Sequence, residues 1–364
     1  MSLAPLFEPF QCKSLRLRNR IAMASMARWA SPGGNPAALA DFYTKRIKGG
    51  AALVMTEGAA INRPASYNDP QSARFFGPAL EGWKTVVQSV HAAGGAIAPQ
   101  LWHCGAVGKK GSDWVQDGDP ESPSGLVSAG NPRGHAMTNA DLDAVLKAYS
   151  EAGAATRTIG FDAVEVHAGH GYLLDQFLWA ETNQRSDRWG GATLVARSRF
   201  PLEAVRCVRA AAGPDLPLFL RISHWKSADL AARYVETPAE LEAWLMPFAK
   251  AGVDIFSVSD FHWDTPLFRN SPLSFAGWVR KVTGLPVMTC GAIGMSGDLM
   301  ATFGGETGQP QPVDAVARHM ADGAFDLIAV GRALLANPDW ADRIRNGAAA
   351  DLAPCTPQLL APGV

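Results

Sequence analysis

Short apolar runs alternate with longer amphipathic stretches along this chain of 364 residues. Eight of these runs have the length and composition of β-strands, and seven of the eight are rich in Val, Ile and Leu. Parallel strands that are buried on both faces of a sheet produce such unbroken apolar runs. The predicted strands cover residues 20–26, 51–59, 96–102, 161–167, 216–223, 253–259, 285–293 and 325–331.

Helical periodicity fills the segments between these runs. Helices are predicted at residues 39–48, 82–93, 139–159, 194–212, 272–283, 313–321 and 340–346, and one more begins at Thr237-Pro238. Thr138 with Asp141, and Thr237 followed by proline, are typical helix starts. Eight strand–helix units predict an α/β fold, a (β/α)8 TIM barrel that forms a single domain over residues 1–364. A doubly wound sheet is the alternative, although it does not need eight repeats.

Three connections are unusually long, polar and rich in Gly or Pro. They follow the third, fourth and seventh strands and cover residues 105–132, 181–193 and 294–312. Long loops on a compact barrel are usually lids or binding loops, and these three lie on the face where the strands end.

Composition narrows the range of functions. Lys and Arg number 33 against 34 Asp and Glu, so a formal charge of -1 favours neither nucleic acid nor an anionic membrane as partner. The five cysteines are scattered without a CxxC pair, which argues against a zinc or iron–sulfur site and favours a reducing compartment. The first residues lack the features of a signal peptide, and no apolar run approaches the roughly 20 residues of a membrane helix. We therefore expect a cytoplasmic globular protein.

The densest group of chemically active side chains follows the fourth strand, in the sequence VEVHAGHGYLLDQF. His167, His170 and Tyr172 lie within six residues of one another, with glycine or alanine between them. A buried strand that ends in such a group is typical of an active site at the carboxyl mouth of a parallel barrel. The alternative, a strand–helix corner with satisfied histidines, is less favoured for two imidazoles and a phenol together.

Other strand ends contribute further candidates to the same mouth. Glycines after the seventh and eighth strands expose backbone N–H groups, and the guanidinium group of Arg332 adds further N–H donors. This combination is usual in the phosphate site of such barrels. The candidates are Ser25, Met26, Ala27, Gly58, Gln100, Trp102, Arg221, Gly291, Ala292, Gly331 and Arg332.

Several of these segments resemble the Old Yellow Enzyme family of FMN-dependent ene-reductases. The matching stretches include LRLRNRIAMASM, GGAALVMTEG, QLWHCG, GFDAVEVHAGHGYLLDQFL, LFLRIS, CGAIG and DLIAVGRALLANPDW. They occur in the family's order from about residue 15 to residue 340, which is most of the chain.

The resemblance implies a catalytic mechanism. Hydride would pass from NADPH or NADH by way of flavin N5 to the β-carbon of an α,β-unsaturated carbonyl or nitro compound. His167 and His170 would polarise the substrate oxygen, and Tyr172 would donate a proton to the α-carbon. The partners implied are thus small activated alkenes. A homo-oligomer is a further expectation, since barrels of this kind often associate.

It also implies the contacts of a tightly bound, non-covalent FMN. Gln100 and Arg221 would contact the flavin pyrimidine edge, and the Arg221 charge would favour the anionic reduced flavin. Trp102 would form a wall of the substrate pocket, and Tyr67, after the second strand, would contact substrate. Ser25, Met26, Ala27 and Gly58 would lie along the isoalloxazine, with Gly291, Ala292, Gly331 and Arg332 around the phosphate.

Two other assignments stay open at this stage. An FMN-dependent oxidative demethylase or dienoyl reductase is one, although such relatives carry a cysteine cluster and a second nucleotide-binding domain after the barrel. A non-flavin phosphate-binding barrel is the other, although the strand ends offer no Schiff-base lysine or paired carboxylates. His224, Trp225, His262 and Trp263 either shape the substrate pocket or lie on surface loops.

The chain departs from the family pattern at Ser25, where proline is usual, at Ala27, where Thr or Cys is common, and at Ala106, where Arg is frequent. Ala27 cannot hydrogen-bond to the flavin near O4, so flavin reduction should be less favourable than with Thr. We predict that Ala27→Thr raises the flavin reduction potential in an anaerobic redox titration. An unchanged or lower potential would contradict the prediction.

Overall fold

A computed structural model describes residues 2–108, 114 and 116–363. Eight parallel strands close a barrel in which each strand pairs with the next one along the chain and the eighth pairs with the first. The predicted (β/α)8 barrel is therefore confirmed. The strands are β1 (Ile21–Met23), β2 (Leu53–Ala60), β3 (Ala96–Trp102), β4 (Val164–His170), β5 (Leu218–Lys226), β6 (Ile255–Ser259), β7 (Val287–Cys290) and β8 (Leu327–Val330).

Helices connect the strands around the outside. Two of the longer helices, Asn139–Ile159 and Pro238–Lys250, begin with a capping box, in which the threonine side chain and the third residue of the helix satisfy each other's backbone N–H groups. The helices are α1 (Ala4–Phe7), α2 (Leu39–Lys48), α3 (Ala79–Ala92), α4 (Asn139–Ile159), α5 (Leu173–Leu178), α6 (Leu194–Arg197), α7 (Arg199–Ala212), α8 (Pro238–Lys250), α9 (Phe275–Thr283), α10 (Leu299–Phe303), α11 (Asp314–Ala321), α12 (Arg332–Ala336) and α13 (Trp340–Arg345).

Two apolar layers account for the unbroken apolar runs. One lies between the barrel and its helices, and the other lies inside the barrel. A hairpin of Phe10–Cys12 and Leu15–Leu17 packs its apolar side chains against the inner layer. The strands are thus covered on both faces, as their composition indicates. Within the described residues, no helix is both long and apolar enough to span a bilayer.

Several bounds differ from the sequence prediction. Strand β1 ends at Met23, so residues 24–28 form a connection rather than a strand, and β4 and β5 extend to His170 and Lys226. The predicted helix 194–212 is divided at Ser198 into α6 and α7. Helix α5 was not predicted, because its six residues are too few to show a period.

The long loop predicted at residues 105–132 lies partly outside the described residues, which omit 109–113 and 115. Its described part contains short pairings that the sequence does not signal. Glu121–Ser122 pairs with His135–Ala136, and Leu126–Ser128 pairs with Asn131–Pro132. His103, at the end of β3, contacts Glu121 with 2.8 Å between Nε2 and Oε1, which ties this segment to the barrel.

Candidate active site

Parallel pairing brings the predicted polar side chains of three neighbouring strands together. In the register of β4 with β5, His167 is opposite Arg221. On the other side of β4, Glu165 is opposite Gln100 of β3. Since alternate residues of a strand face the same side, Glu165 and His167 lie on one face of β4. The mouth of the barrel therefore combines imidazole, guanidinium, amide and carboxylate groups.

The two histidines are in contact. Nε2 of His167 lies 3.3 Å from Nδ1 of His170, and the ring centroids are 5.0 Å apart. The Gly169 N–H donates to Nδ1 of His167, which assigns the proton of the neutral His167 ring to Nε2. That N–H then donates to His170 Nδ1, so the proton of His170 is on Nε2, a buried atom without a partner among the described residues.

Both rings are neutral at physiological pH. Burial, assisted by the Arg221 charge, lowers the pKa of His167 to about 3. Burial also lowers the pKa of His170 well below its usual range, and His167, Arg221 and Lys226 add to that effect. Neutral imidazoles can donate a hydrogen bond to a substrate oxygen without transferring a full positive charge to the site.

The backbone at His170 adopts a left-handed conformation, with φ of 63°. This conformation is rare for a residue with a side chain and costs on the order of 1 kcal/mol. A β-bulge interrupts the β4–β5 register here. Ser223 Oγ accepts the His170 N–H at 2.8 Å, and Ser227 donates its N–H and its hydroxyl to the His170 carbonyl. These bonds with β5 and the residue after it hold the turn that carries the imidazole.

A buried ion pair supports the same turn from the other side. Lys226 Nζ lies 3.2 Å from an Asp175 carboxylate oxygen, and both side chains are fully buried. Asp175 also accepts the Gly171 N–H at 2.5 Å and the Tyr234 hydroxyl. The sequence did not reveal this network, because an aspartate within an apolar run carries no sign of its distant lysine partner.

Tyr172 lies beside the imidazoles. Its ring centroid is 5.2 Å from that of His167 and 5.2 Å from that of Trp102, with the Trp102 ring perpendicular to it. Burial, with Cys104 nearby, raises the pKa of Tyr172 to about 12. The phenol therefore keeps its proton at neutral pH, as a proton donor requires.

Two more aromatic residues border this group. Trp225 stacks on His170 with 4.3 Å between ring centroids and on Phe261 with 4.9 Å, so it belongs to the pocket rather than to a surface loop. Tyr67 packs in one apolar cluster with Trp102, and its hydroxyl donates to Asp117. Its predicted contact with substrate stays a prediction.

The donors at the predicted flavin edge fit a pyrimidine ring. Ser25 Oγ donates to Gln100 Oε1 at 2.9 Å, and Arg221 Nη1 donates to Ser257 at 3.2 Å. Arg221 Nε is buried and has no partner within residues 2–108, 114 and 116–363. A buried guanidinium donor without a partner costs free energy. A bound acceptor, such as the carbonyl of a pyrimidine ring, would satisfy it.

The predicted phosphate residues lie at the ends of the adjacent strands β7 and β8. A Cβ at Gly331 would be 3.4 Å from the Met26 sulfur, so the end of β8 contacts the connection after β1. Ala292 follows β7 in the left-handed conformation, with φ of 49°. The Arg332 guanidinium donates to the Ser296 and Gly297 carbonyls and to Thr302, which orders the loop after β7. Its contact with phosphate stays a prediction.

Glu57 holds the connection after β1 and was not predicted as a site residue. Its carboxylate accepts the Arg28 backbone N–H at 2.6 Å and the Ser31 hydroxyl at 3.2 Å. Burial raises the pKa of Glu57 to about 7, and these hydrogen bonds oppose the shift. The Arg28 guanidinium donates to carbonyls of the C-terminal segment, at Leu359, Ala361 and Gly363.

Glu121, His135 and Asp141 have ligand atoms close enough to hold a metal ion. The Arg63 guanidinium already bridges Glu121 and Asp141 at 2.6 Å to each. Since Arg63 supplies the positive charge between the two carboxylates, the cluster is explained as an ion-pair network.

The class of protein follows from the family model, and the barrel with neutral histidines and a protonated tyrosine at its mouth agrees with it: a flavin-dependent oxidoreductase of the Old Yellow Enzyme type. Residues 5–351 match the model of the NADH:flavin oxidoreductase / NADH oxidase family, and the chain belongs to that family. FMN is the cofactor of this family, and reduced nicotinamide is its electron donor.

Similar proteins agree with this assignment. A morphinone reductase in complex with tetrahydroNAD superposes with a TM-score of 0.80 at 27% identity, covering 99% of this chain and 94% of that one. A chanoclavine-I aldehyde reductase from Penicillium roqueforti is 30% identical, over 95% of this chain and 90% of the relative. An NADH oxidase from Thermoanaerobacter brockii is 28% identical over 96% of this chain, which spans only 52% of that relative.

The lowered pKa of His167 predicts how stability depends on pH. In the unfolded chain His167 binds a proton near pH 6.5, but in the folded protein only near pH 3. Stability is therefore lost as pH falls through this window, by up to about 1.4 kcal/mol per pH unit for this group. His167→Asn should flatten the decline in the free energy of urea unfolding between about pH 6 and about pH 4.5. An unchanged slope would show that burial does not keep this imidazole neutral.

Proposed function

We propose that this protein is an FMN-dependent ene-reductase that takes hydride from NADPH or NADH and reduces the activated C=C bond of a carbonyl or nitro compound. The observation that carries the proposal is the contact of His167, His170 and Tyr172 at the mouth of the barrel, beside Arg221. Small activated alkenes are the substrate class that this combination of donors fits.

FMN held at this site would supply hydride transfer between nicotinamide and alkene, with donor and acceptor using the site in turn. Gln100 and Arg221 would hold its pyrimidine edge, and Met26 and Gly58 would lie along its rings. Gly291, Gly331 and Arg332 would contact its phosphate. Arg221 Nε supports this assignment because it has no partner among the described residues and needs an acceptor.

The histidines would bind the oxygen of the substrate between them. A substrate oxygen would replace His170 Nδ1 as the acceptor of the His167 Nε2–H, and the other tautomer of His170, with its proton on Nδ1 instead of Nε2, would donate to the same oxygen. Both rings then donate to an oxygen that gains negative charge as the β-carbon is attacked. The left-handed turn and the Trp225 stack hold the His170 ring in place before substrate arrives.

Tyr172 would supply the proton that completes the reduction. Its pKa of about 12 leaves it protonated, and its position beside His167 places it in the same pocket as the bound carbonyl. Proton transfer to the α-carbon quenches the enolate charge that the histidines stabilise, so the two groups act in sequence on one substrate.

The first test is the absorbance of the purified protein. We expect a yellow protein that bleaches with NADPH or NADH under anaerobic conditions and regains its colour when 2-cyclohexenone is added. Protein that takes up no added FMN would contradict the flavin assignment. If nicotinamide reduces the flavin but the enone does not reoxidise it, the flavin assignment would stand and this substrate class would be excluded.

A second test replaces the proposed proton donor. Tyr172→Phe should lower the rate of enone reduction by about 10²–10⁴-fold, the usual contribution of a positioned acid, while FMN reduction by nicotinamide stays fast. Stopped-flow measurement of the two half-reactions separates these effects. Tyr149→Phe is the matched control, since the Tyr149 hydroxyl is buried in α4 without a described partner. Equal oxidative rates in Tyr172→Phe and in the control would rule out this role.

A further inference from the structure

Glu165 is a fully buried carboxyl group inside the barrel that the proposed mechanism does not use. It lies two residues before His167 on β4, one step deeper in the barrel than the imidazoles. Burial raises the pKa of Glu165, and the Arg221 charge, Ser257 and Gln100 oppose the rise. Burying a carboxyl group is costly unless nearby groups compensate it, so its neighbours indicate what it does there.

The first neighbour is the amide of Gln100. Gln100 Nε2 donates to a Glu165 carboxylate oxygen at 2.6 Å, while Gln100 Oε1 accepts the Ser25 hydroxyl at 2.9 Å. In its ionised form, which Arg221, Ser257 and Gln100 favour, Glu165 only accepts hydrogen bonds and therefore fixes the amide with its nitrogen toward the carboxylate. The amide oxygen then faces Ser25 and can accept from a ligand. Such an acceptor matches the imide N–H of a pyrimidine ring.

The second neighbour is the charge of Arg221. Arg221 is buried on the adjacent strand, opposite His167 and thus two residues along β4 from Glu165, and its charge favours the ionised form of that carboxyl group. Charges interact strongly in a barrel interior because little water screens them. A negative charge beneath Arg221 therefore reduces the positive potential that a bound anion experiences at the mouth.

We propose that Glu165 is a positioning residue of the flavin site: it orients the Gln100 amide as an acceptor and offsets Arg221, so that it lowers the reduction potential of bound FMN. The inference rests on the proposed function only for the identity of the flavin. Reduction adds negative charge to the flavin, and the Glu165 carboxylate opposes that charge.

Two variants separate the two effects. Glu165→Gln removes the charge but keeps an oxygen that can accept from Gln100. Glu165→Met removes the charge and the acceptor, and buried charges are often replaced by apolar residues of similar volume without loss of folding. We expect both variants to favour two-electron reduction at least about tenfold, which is about 30 mV. Only Glu165→Met should also weaken FMN binding.

The measurements are the midpoint potential, by equilibration of the loaded protein with a reference dye, and the dissociation constant of FMN. Asp162→Asn is the control: Asp162 accepts the Ile97 N–H at the opposite end of the barrel, so the same loss of charge there should leave the potential unchanged. Potentials equal to that of the wild type in both Glu165 variants would overturn the charge effect. Wild-type FMN affinity in Glu165→Met would overturn the orienting role.

These outcomes are independent of turnover. A wild-type protein that binds no FMN would contradict the proposed function before the variants are compared. A protein that binds FMN but reduces no enone would contradict the substrate assignment alone, and the potentials of the variants would still decide the role of Glu165.

Discussion

The left-handed backbone at His170 is the constraint on which the geometry of the site depends. It turns the chain at the end of β4 so that two imidazoles and a phenol lie in one pocket. A residue with a side chain does not adopt this conformation without support. Hydrogen bonds with Ser223 on β5 and with Ser227 just after it, and the Asp175 carboxylate behind Gly171, provide that support. The position of the imidazoles is thus determined by neighbouring elements rather than by their own strand.

The ion pair of Asp175 and Lys226 links those elements. Asp175 belongs to α5 and Lys226 ends β5, so the pair joins the helix after the site to the next strand of the barrel. Desolvation makes a buried ion pair a weak source of stability, but removal of one partner is costly. The ion pair instead fixes the position of the chain, because Asp175 also accepts the backbone N–H of Gly171, the residue before Tyr172. The same groups that position the histidines therefore position the proposed proton donor.

The barrel could be predicted from sequence because its strands are apolar on both faces and recur eight times. The end of β1 could not be predicted, because the apolar run that begins at Ile21 continues past Met23, where the pairing of this strand with β8 ends. The histidines and Tyr172 were found from their spacing. Glu165 was missed because it lies between two valines in an apolar run, and Lys226 was missed because the predicted strand ended at Ser223. The residues that compensate their charges come from distant segments. The β-bulge and the left-handed turn at His170 were not predicted either, because they also depend on contacts with distant segments.

Ser25, which stands where the family usually has proline, is coupled through Gln100 to the buried carboxyl group of Glu165. A proline at this position would have no hydroxyl, so the bond from Ser25 to Gln100 depends on this substitution. Because Glu165 fixes the amide nitrogen of Gln100, the Ser25 hydroxyl meets an oxygen and always donates to it. Ser25 thus occupies one lone pair of the acceptor that a pyrimidine N–H would use. Three residues in series therefore shape the proposed flavin edge, from the connection after β1 through β3 to the interior of β4.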